Sequence, residues 1–226
     1  MKSNPARLFG IFFILSFASY ATGTSLTEII QNNQTLPTDI LENKVRLVTG
    51  AILMAVVHTS FNLGLIVVMY TILKSISQRL SVIYLLSGSL GTLMLALGAV
   101  FLLLPVSISE TIGQSEGYWD TFSFSILLSL SSSVNFYSYQ LGMIFWGCGG
   151  MVFCYLLQKS ELVPVAFPVW GYIGYAVFIA GCFSELFGIP YGVVLSLPGG
   201  LFEIVLSIWL IAKGFSDTMI DPNVSH

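Results

Sequence analysis

Six long runs of apolar residues constrain this chain more than any other feature of its sequence. An α-helix needs about 20 predominantly apolar residues to cross the hydrocarbon core of a bilayer. Runs close to that length lie at approximately 8–26, 48–72, 82–106, 141–157, 165–187 and 193–212. The sequence therefore predicts an all-α fold, a polytopic membrane helix bundle in which residues 1–226 form a single domain with six transmembrane helices.

The composition agrees with a chain that lies in lipid and excludes other classes. Only 8% of the residues are charged and 55% are hydrophobic, whereas soluble domains carry about 25% charged residues. The net charge is −3 and there is no basic patch, so nucleic acid is not a predicted partner. The predicted surroundings are the lipid bilayer.

The segment between the third and fourth runs differs from the others. It reads WDTFSFSILLSLSSSV, Trp119–Val134, and its apolar part is too short and too rich in serine to span a membrane. We expect a short interfacial or re-entrant helix here. In the loop before the second run, Leu36 and Pro37 are suited to open a helix, with Asp39 in its first turn.

The first run has two interpretations. MKSNPAR followed by an apolar stretch and by Ser19–Ala21 is similar to a secretory signal peptide. The apolar stretch is long, however, and continues as TGTSL, which favours an uncleaved helix. Cleavage would leave five spans and alter the topology.

The basic residues predict the orientation, because lysine and arginine concentrate in cytoplasmic loops. If the spans alternate in direction, one side of the membrane receives six basic residues: Lys2, Arg7, Lys74, Arg79, Lys159 and Lys213. The other side receives two, Lys44 and Arg46, together with most of the acidic loop residues. We therefore expect both termini in the cytoplasm.

Three ionisable side chains fall within the spans: His58, Glu185 and Glu203. A charge at the centre of a transmembrane helix costs about 2.5–3.5 kcal/mol on insertion scales and normally faces the interior of the bundle. Glu185 lies at the outer end of the fifth span. His58 and Glu203 each lie about 15 Å from the start of their spans, at 1.5 Å per residue, so they meet if helices two and six are neighbours.

Two further polar residues extend these faces. Asn62 follows His58 by four residues, and Ser207 follows Glu203 by four, so each shares a helix face with its partner. The set His58, Asn62, Glu185, Glu203 and Ser207 is the predicted polar site. Polar groups in bundles also act as interhelical hydrogen-bonding groups, worth about 0.6 kcal/mol each, so structural pairing and a ligand-linked or proton-linked site both stay open.

The glycines and proline near Glu203 bear on that choice. Pro198 removes a backbone donor just before Glu203, and Gly199 and Gly200 follow it. A helix distorted there would open space beside the acid, but glycines equally permit close helix contact. Trp146 lies deep in its span and either lines a cavity or fills the core, with the core as the default.

Neither a metal nor another cofactor is predicted. Cys148, Cys154 and Cys182 lie in apolar runs and form no CxxC pair, and one histidine with carboxylates at unrelated spacings is a poor zinc pattern. The chain lacks HExxH, GxSxG and a P-loop. We therefore expect a protein that is not an enzyme.

Two segments carry a family resemblance. Tyr155–Tyr175, with Ser160, Leu162–Pro164, Trp170, Gly171 and Gly174, and Glu203–Phe215, with Trp209 and Lys213–Phe215, resemble domain-of-unknown-function family 4386. That family comprises small prokaryotic integral membrane proteins, and the resemblance covers nearly the whole chain. It supports the architecture and implies no activity. The resemblance does not extend to His58, and it implies the inner membrane of a prokaryotic cell.

Three functions fit the sequence. The first is a non-enzymatic protein that binds or passes a small or lipidic molecule at the polar spot around Glu203. The second is an accessory or scaffolding subunit without a ligand, whose glycine faces contact a membrane-protein partner or a second copy of the chain. The third is an intramembrane enzyme.

Overall fold

In a computed structural model, residues 5–31, 35–114 and 121–216 are described. Lys2, Trp119 and Asp120, which the sequence arguments used, lie outside those ranges. The described residues contain helices and no β-strand. Six helical segments are long and apolar enough to cross a membrane, namely Pro5–Ile30, Lys44–Leu73, Gln78–Ile112, Phe122–Ser160, Ala166–Leu186 and Gly192–Lys213. The predicted all-α, six-span membrane fold is confirmed.

The α-helices are numbered in chain order. They are α1 (Pro5–Thr27), α2 (Pro37–Glu42), α3 (Lys44–Ile52), α4 (Thr59–Leu73), α5 (Gln78–Phe101), α6 (Leu104–Gln114), α7 (Thr121–Ser160), α8 (Ala166–Leu186) and α9 (Gly192–Lys213). A 3₁₀ turn, Glu28–Gln31, follows α1. A π-helical segment, Leu53–His58, joins α3 to α4.

The predicted helix start at Pro37 is confirmed. Leu36 is extended, with φ −90° and ψ 159°, and Pro37 occupies the first turn of α2. The Asp39 carboxylate accepts the backbone N–H of Leu36 at 2.9 Å. A donor that a helix start would leave unpaired is thereby satisfied.

The short helix between the third and fourth spans differs from the expectation in its position. The separate short helix is α6, and it lies at the end of the third span rather than after it. The preceding helix α5 ends at Phe101, because Pro105 would clash with the carbonyl of that residue. The described part of the predicted interfacial segment, 121–134, instead begins the 40-residue helix α7. Its serines are compatible with a helix, since Ser125 donates to the carbonyl of Phe122 at 2.8 Å.

Two compact units account for the described residues. The first unit contains the described residues among 1–15, 61–92 and 140–226, and the second contains the described residues among 16–60 and 93–139. Each has its own buried core. Phe9, Leu65, Leu156 and Phe202 represent the core of the first unit.

The core of the second unit is aliphatic with one central aromatic ring. Ile40, Leu47, Met54 and Leu128 pack around Phe124, which is 1% exposed. At its surface, Lys44 at the start of α3 forms an ion pair with Glu110 on α6. The beginning of the second span and the end of the third therefore lie side by side, as expected for spans of alternating direction.

The last two helices, α8 and α9, form a closely packed antiparallel pair in the first unit. A Cβ on Gly174 would lie 2.9 Å from the Cα of Gly199, so the two backbones meet at these glycines. The indole N–H of Trp170 donates to the carbonyl of Pro198 at 3.1 Å. Gly199 thus permits close helix contact, one of the two roles predicted for it, whereas a Cβ on Gly200 would meet nothing within 4 Å.

Candidate functional site

Glu203 holds two hydrogen bonds to aromatic side chains from other helices of the first unit. Its Oε1 atom accepts the indole N–H of Trp146, on α7, at 2.7 Å. The same oxygen lies 2.7 Å from the hydroxyl of Tyr175, on α8, which donates to it. Three helices therefore converge on one carboxylate oxygen.

Glu203 also lines a cavity whose walls are mainly aromatic. Seven aromatic side chains line it: Phe9, Phe13, Tyr84, Trp146, Phe153, Tyr175 and Phe202. The remaining lining consists of Leu65, Gly88, Gly149, Gly150, Leu206 and Glu203. Glu203 is the single charged residue among them, and no lysine, arginine or histidine from the described part of the chain lines the cavity.

The cavity is small. The space open to the centres of water molecules is about 20 Å³. Holding one water requires about 10–15 Å³ on this measure. The cavity therefore has room beside Glu203 for a group of about one heavy atom, and a larger ligand requires its side chains to move.

Gly150 on α7 makes room for the Tyr175 ring. A Cβ on Gly150 would collide with that ring at three of its atoms, so the absence of a side chain there lets the ring lie against the helix. Tyr175 is 3% exposed, and a buried tyrosine hydroxyl normally finds a partner. The glycine and the acid together fix where the ring and its hydroxyl lie.

Asn62 is connected to the cavity wall through two hydrogen bonds. Its side-chain amide donates to the hydroxyl of Thr92 at 2.7 Å. Thr92 in turn donates to the carbonyl of Gly88 at 2.8 Å, and Gly88 lines the cavity. Asn62 therefore ties α4 to the part of α5 that faces the cavity, without lining it.

His58 belongs to the second unit and ends its π-helical segment. Its Nδ1 lies 3.1 Å from the carbonyl of Ser16 and 3.0 Å from the hydroxyl of the same residue. Because a carbonyl only accepts, Nδ1 carries the proton in that bond. Nε2 is buried and has no hydrogen-bond partner among the described residues, and the ring of Tyr20 packs edge-on at 4.9 Å.

The other two predicted site residues occupy separate places. Ser207 is fully buried, and its hydroxyl has no partner within the described ranges; its backbone carbonyl lies against Gly10 on α1. Glu185 accepts the backbone N–H of Gly192 at 2.8 Å. A carboxylate at the first residue of α9 complements the positive end of that helix dipole, so the Glu185 contact is a helix cap.

Sequence reasoning missed Tyr175 and assigned Trp146 to the core by default. Both carry a polar group on an otherwise apolar ring, and both lie deep in a span rather than at its end. Such residues in lipid need an internal hydrogen-bond partner. That requirement is the signal that could have linked them to Glu203, although it does not say which helices face each other.

The described residues also bear on metal binding. Within residues 5–31, 35–114 and 121–216, no three His, Cys, Asp or Glu side chains gather as a metal site would need.

Comparison with known proteins gave one match. The family model of a domain of unknown function, DUF4386, matches residues 8–214. The curated proteins and the solved structures each gave no match to the chain. The matched range includes Trp146, Tyr175 and Glu203.

Proposed function

The chain belongs to the DUF4386 family, and for this multi-pass membrane protein we propose a non-enzymatic function: binding a small or lipidic molecule, or passing it across the membrane, at the cavity beside Glu203. The observation that carries the proposal is the pair of hydrogen bonds from Trp146 and Tyr175 to one oxygen of a carboxylate that borders a cavity.

The arrangement supports binding over a purely structural role of the acid. One hydrogen bond would suffice to tie α9 to a neighbouring helix, and such bonds contribute about 0.6 kcal/mol on average. Here two aromatic donors hold the same oxygen, and Glu203 also lines a cavity. Ligand sites usually combine apolar and aromatic walls with a few placed polar groups, and the lining of this cavity has that composition.

Nothing in the cavity favours catalysis. Its described lining offers one carboxylate, tyrosine hydroxyls and an indole, and no serine, cysteine or histidine, the residues from which the common nucleophile and base pairs are built. The distribution of basic residues supports the proposal that both termini lie in the cytoplasm. The family resemblance supports the inner membrane of a prokaryotic cell as the location. Association with a second copy or with another membrane protein is part of the same proposal.

Mass spectrometry of molecules that co-purify with the protein tests the proposal. Wild-type protein and the Glu203→Gln variant would be purified in the same detergent, and we expect a bound molecule in the first that is depleted about tenfold in the second, because a hydrogen bond to a charged group is lost. Glu161→Gln is the matched control, since Glu161 is an exposed acid outside the cavity.

A contrary result would favour the scaffolding alternative. If both proteins carry the same molecules and Glu203→Gln lowers only the unfolding temperature, the acid serves helix packing and the proposed binding function is wrong.

A further inference from the structure

The lining of the cavity indicates the chemical class of its ligand. Resting on the binding function proposed above, we infer that the group taken beside Glu203 is a small primary ammonium, either a free alkylammonium ion or the ammonium head of a longer amine. Three properties of the site lead to this class: its charge, the electrostatics of its walls and its size.

The charge of the site is the first property. The indole of Trp146 can only donate, and Tyr175 donates to the same oxygen, so Oε1 accepts two hydrogen bonds, an arrangement that favours the ionised acid. The described lining contains no basic residue to balance that charge. A buried carboxylate without a cation is costly in lipid, and a cationic ligand removes that cost.

The walls supply the second property. Aromatic faces carry negative electrostatic potential and attract cations, with tryptophan the strongest and tyrosine and phenylalanine following. Seven aromatic residues line the cavity; among them Tyr84 and Phe153 stack at 5.4 Å and Tyr175 meets Phe202 edge-on at 5.7 Å. An anion beside Glu203 would meet the carboxylate among electron-rich rings, so the site disfavours it.

Size and hydrogen bonding give the third property. The space of about 20 Å³ suits a group the size of one water molecule, and an –NH₃⁺ group has that size. It also brings N–H donors for the carboxylate, which a quaternary ammonium lacks. Tetramethylammonium is therefore predicted to bind more weakly than methylammonium.

The test is a titration of purified protein with methylammonium chloride at constant ionic strength and pH, followed by tryptophan fluorescence and by heat of binding. Trp146 borders the cavity, so its emission reports on occupancy. We expect saturable binding of methylammonium, no comparable response to sodium chloride or to methanol, its neutral counterpart, and weaker binding of tetramethylammonium.

Variants connect that response to the site. Glu203→Gln should weaken methylammonium binding by about tenfold or more, as expected for a lost charge-assisted hydrogen bond. Glu161→Gln should bind as the wild type does. If Glu203→Gln does not fold, the wild-type comparison of methylammonium with methanol decides the matter, because it depends on the charge of the ligand alone.

Several results would overturn the inference: no saturable methylammonium response, an equal response to methanol, or equal binding by folded Glu203→Gln. The proposed binding function and the ammonium class are refuted by different results. A neutral or anionic molecule that co-purifies with wild type and is lost from Glu203→Gln would refute the ammonium class and leave the binding function standing, whereas absence of both kinds of binding would refute both.

Discussion

At the scale of single residues, Oε1 of Glu203 is shared by two donors, Trp146 and Tyr175, each at 2.7 Å. The two hydrogen bonds to this oxygen are coupled, because the strength of each one depends on the other and on the charge of the acid. The contribution of either hydrogen bond to stability therefore cannot be separated from the state of Glu203. A double-mutant cycle is the suitable measurement.

We predict that Tyr175→Phe lowers the free energy of unfolding by about 0.6–1.7 kcal/mol, the range found for hydrogen bonds within membrane proteins. The loss should be smaller in the Glu203→Gln background, where the acceptor is no longer a carboxylate. Tyr172→Phe is the matched control, since its hydroxyl makes only an exposed 3.3 Å bond to Gln158. Equal losses in both backgrounds would show that the Tyr175 hydroxyl does not act through Glu203.

At the scale of helices, α8 and α9 meet at glycines, and the two faces of α9 differ sharply at neighbouring positions. A Cβ on Gly199 would lie 3.3 Å from the carbonyl oxygen of Gly174, whereas a Cβ on Gly200 would meet nothing within 4 Å. Small residues let helices approach closely in membranes, where packing rather than exclusion of water drives association. The pair therefore offers a matched test of helix contact.

Gly174→Ala is predicted to destabilise the protein by about 1–3 kcal/mol, because its Cβ would press on the backbone of α9 and overpacked cores lose stability on that scale. Gly200→Ala should be neutral or stabilising by up to about 1 kcal/mol, since alanine favours a helix over glycine. Unfolding by heat or by SDS in mixed micelles measures both. Equal destabilisation by the two variants would contradict the contact between α8 and α9.

The π-helical segment that ends at His58 belongs to the same scale. Single π turns interrupt α-helices mainly at functional places. Here the segment coincides with a buried histidine whose Nδ1 bonds to Ser16 on α1. The sequence placed His58 in a span but had no signal for this change in helical winding, which depends on what packs against α3 and α4.

At the scale of the whole molecule, spans that alternate in direction would divide the basic residues of the sequence six to two between the sides. The ion pair of Lys44 with Glu110 joins two residues that the alternation places on the same outer side. The orientation itself is a proposal that labelling can test.

We predict that a cysteine replacing exposed Glu42 reacts with a membrane-impermeant maleimide in intact cells, while one replacing exposed Glu161 reacts only after lysis. The native cysteines Cys148, Cys154 and Cys182 lie within spans and provide the background. The reverse labelling pattern would invert the orientation. Labelling of both from one side would contradict the alternating spans.

The sequence by itself determined the number and approximate positions of the membrane spans, because the thickness of the hydrocarbon core sets a helix length that hydropathy reveals. It also determined the helix start at Pro37, since capping depends on residues within one turn. It identified Glu203 as an acid within a span that must have a partner or a function, because the cost of a charge in lipid does not depend on the rest of the fold.

Only the tertiary structure decided which partners satisfy that acid. Trp146 and Tyr175 lie 57 and 28 residues from Glu203 along the chain, and apolar helices carry little information about which of their faces meet. It also decided that Asn62 bonds to Thr92 and that residues 121–134 continue into α7. These outcomes depend on contacts between distant segments. Hydrophobic periodicity does not encode them, because helix surfaces that face lipid are as apolar as those that face other helices.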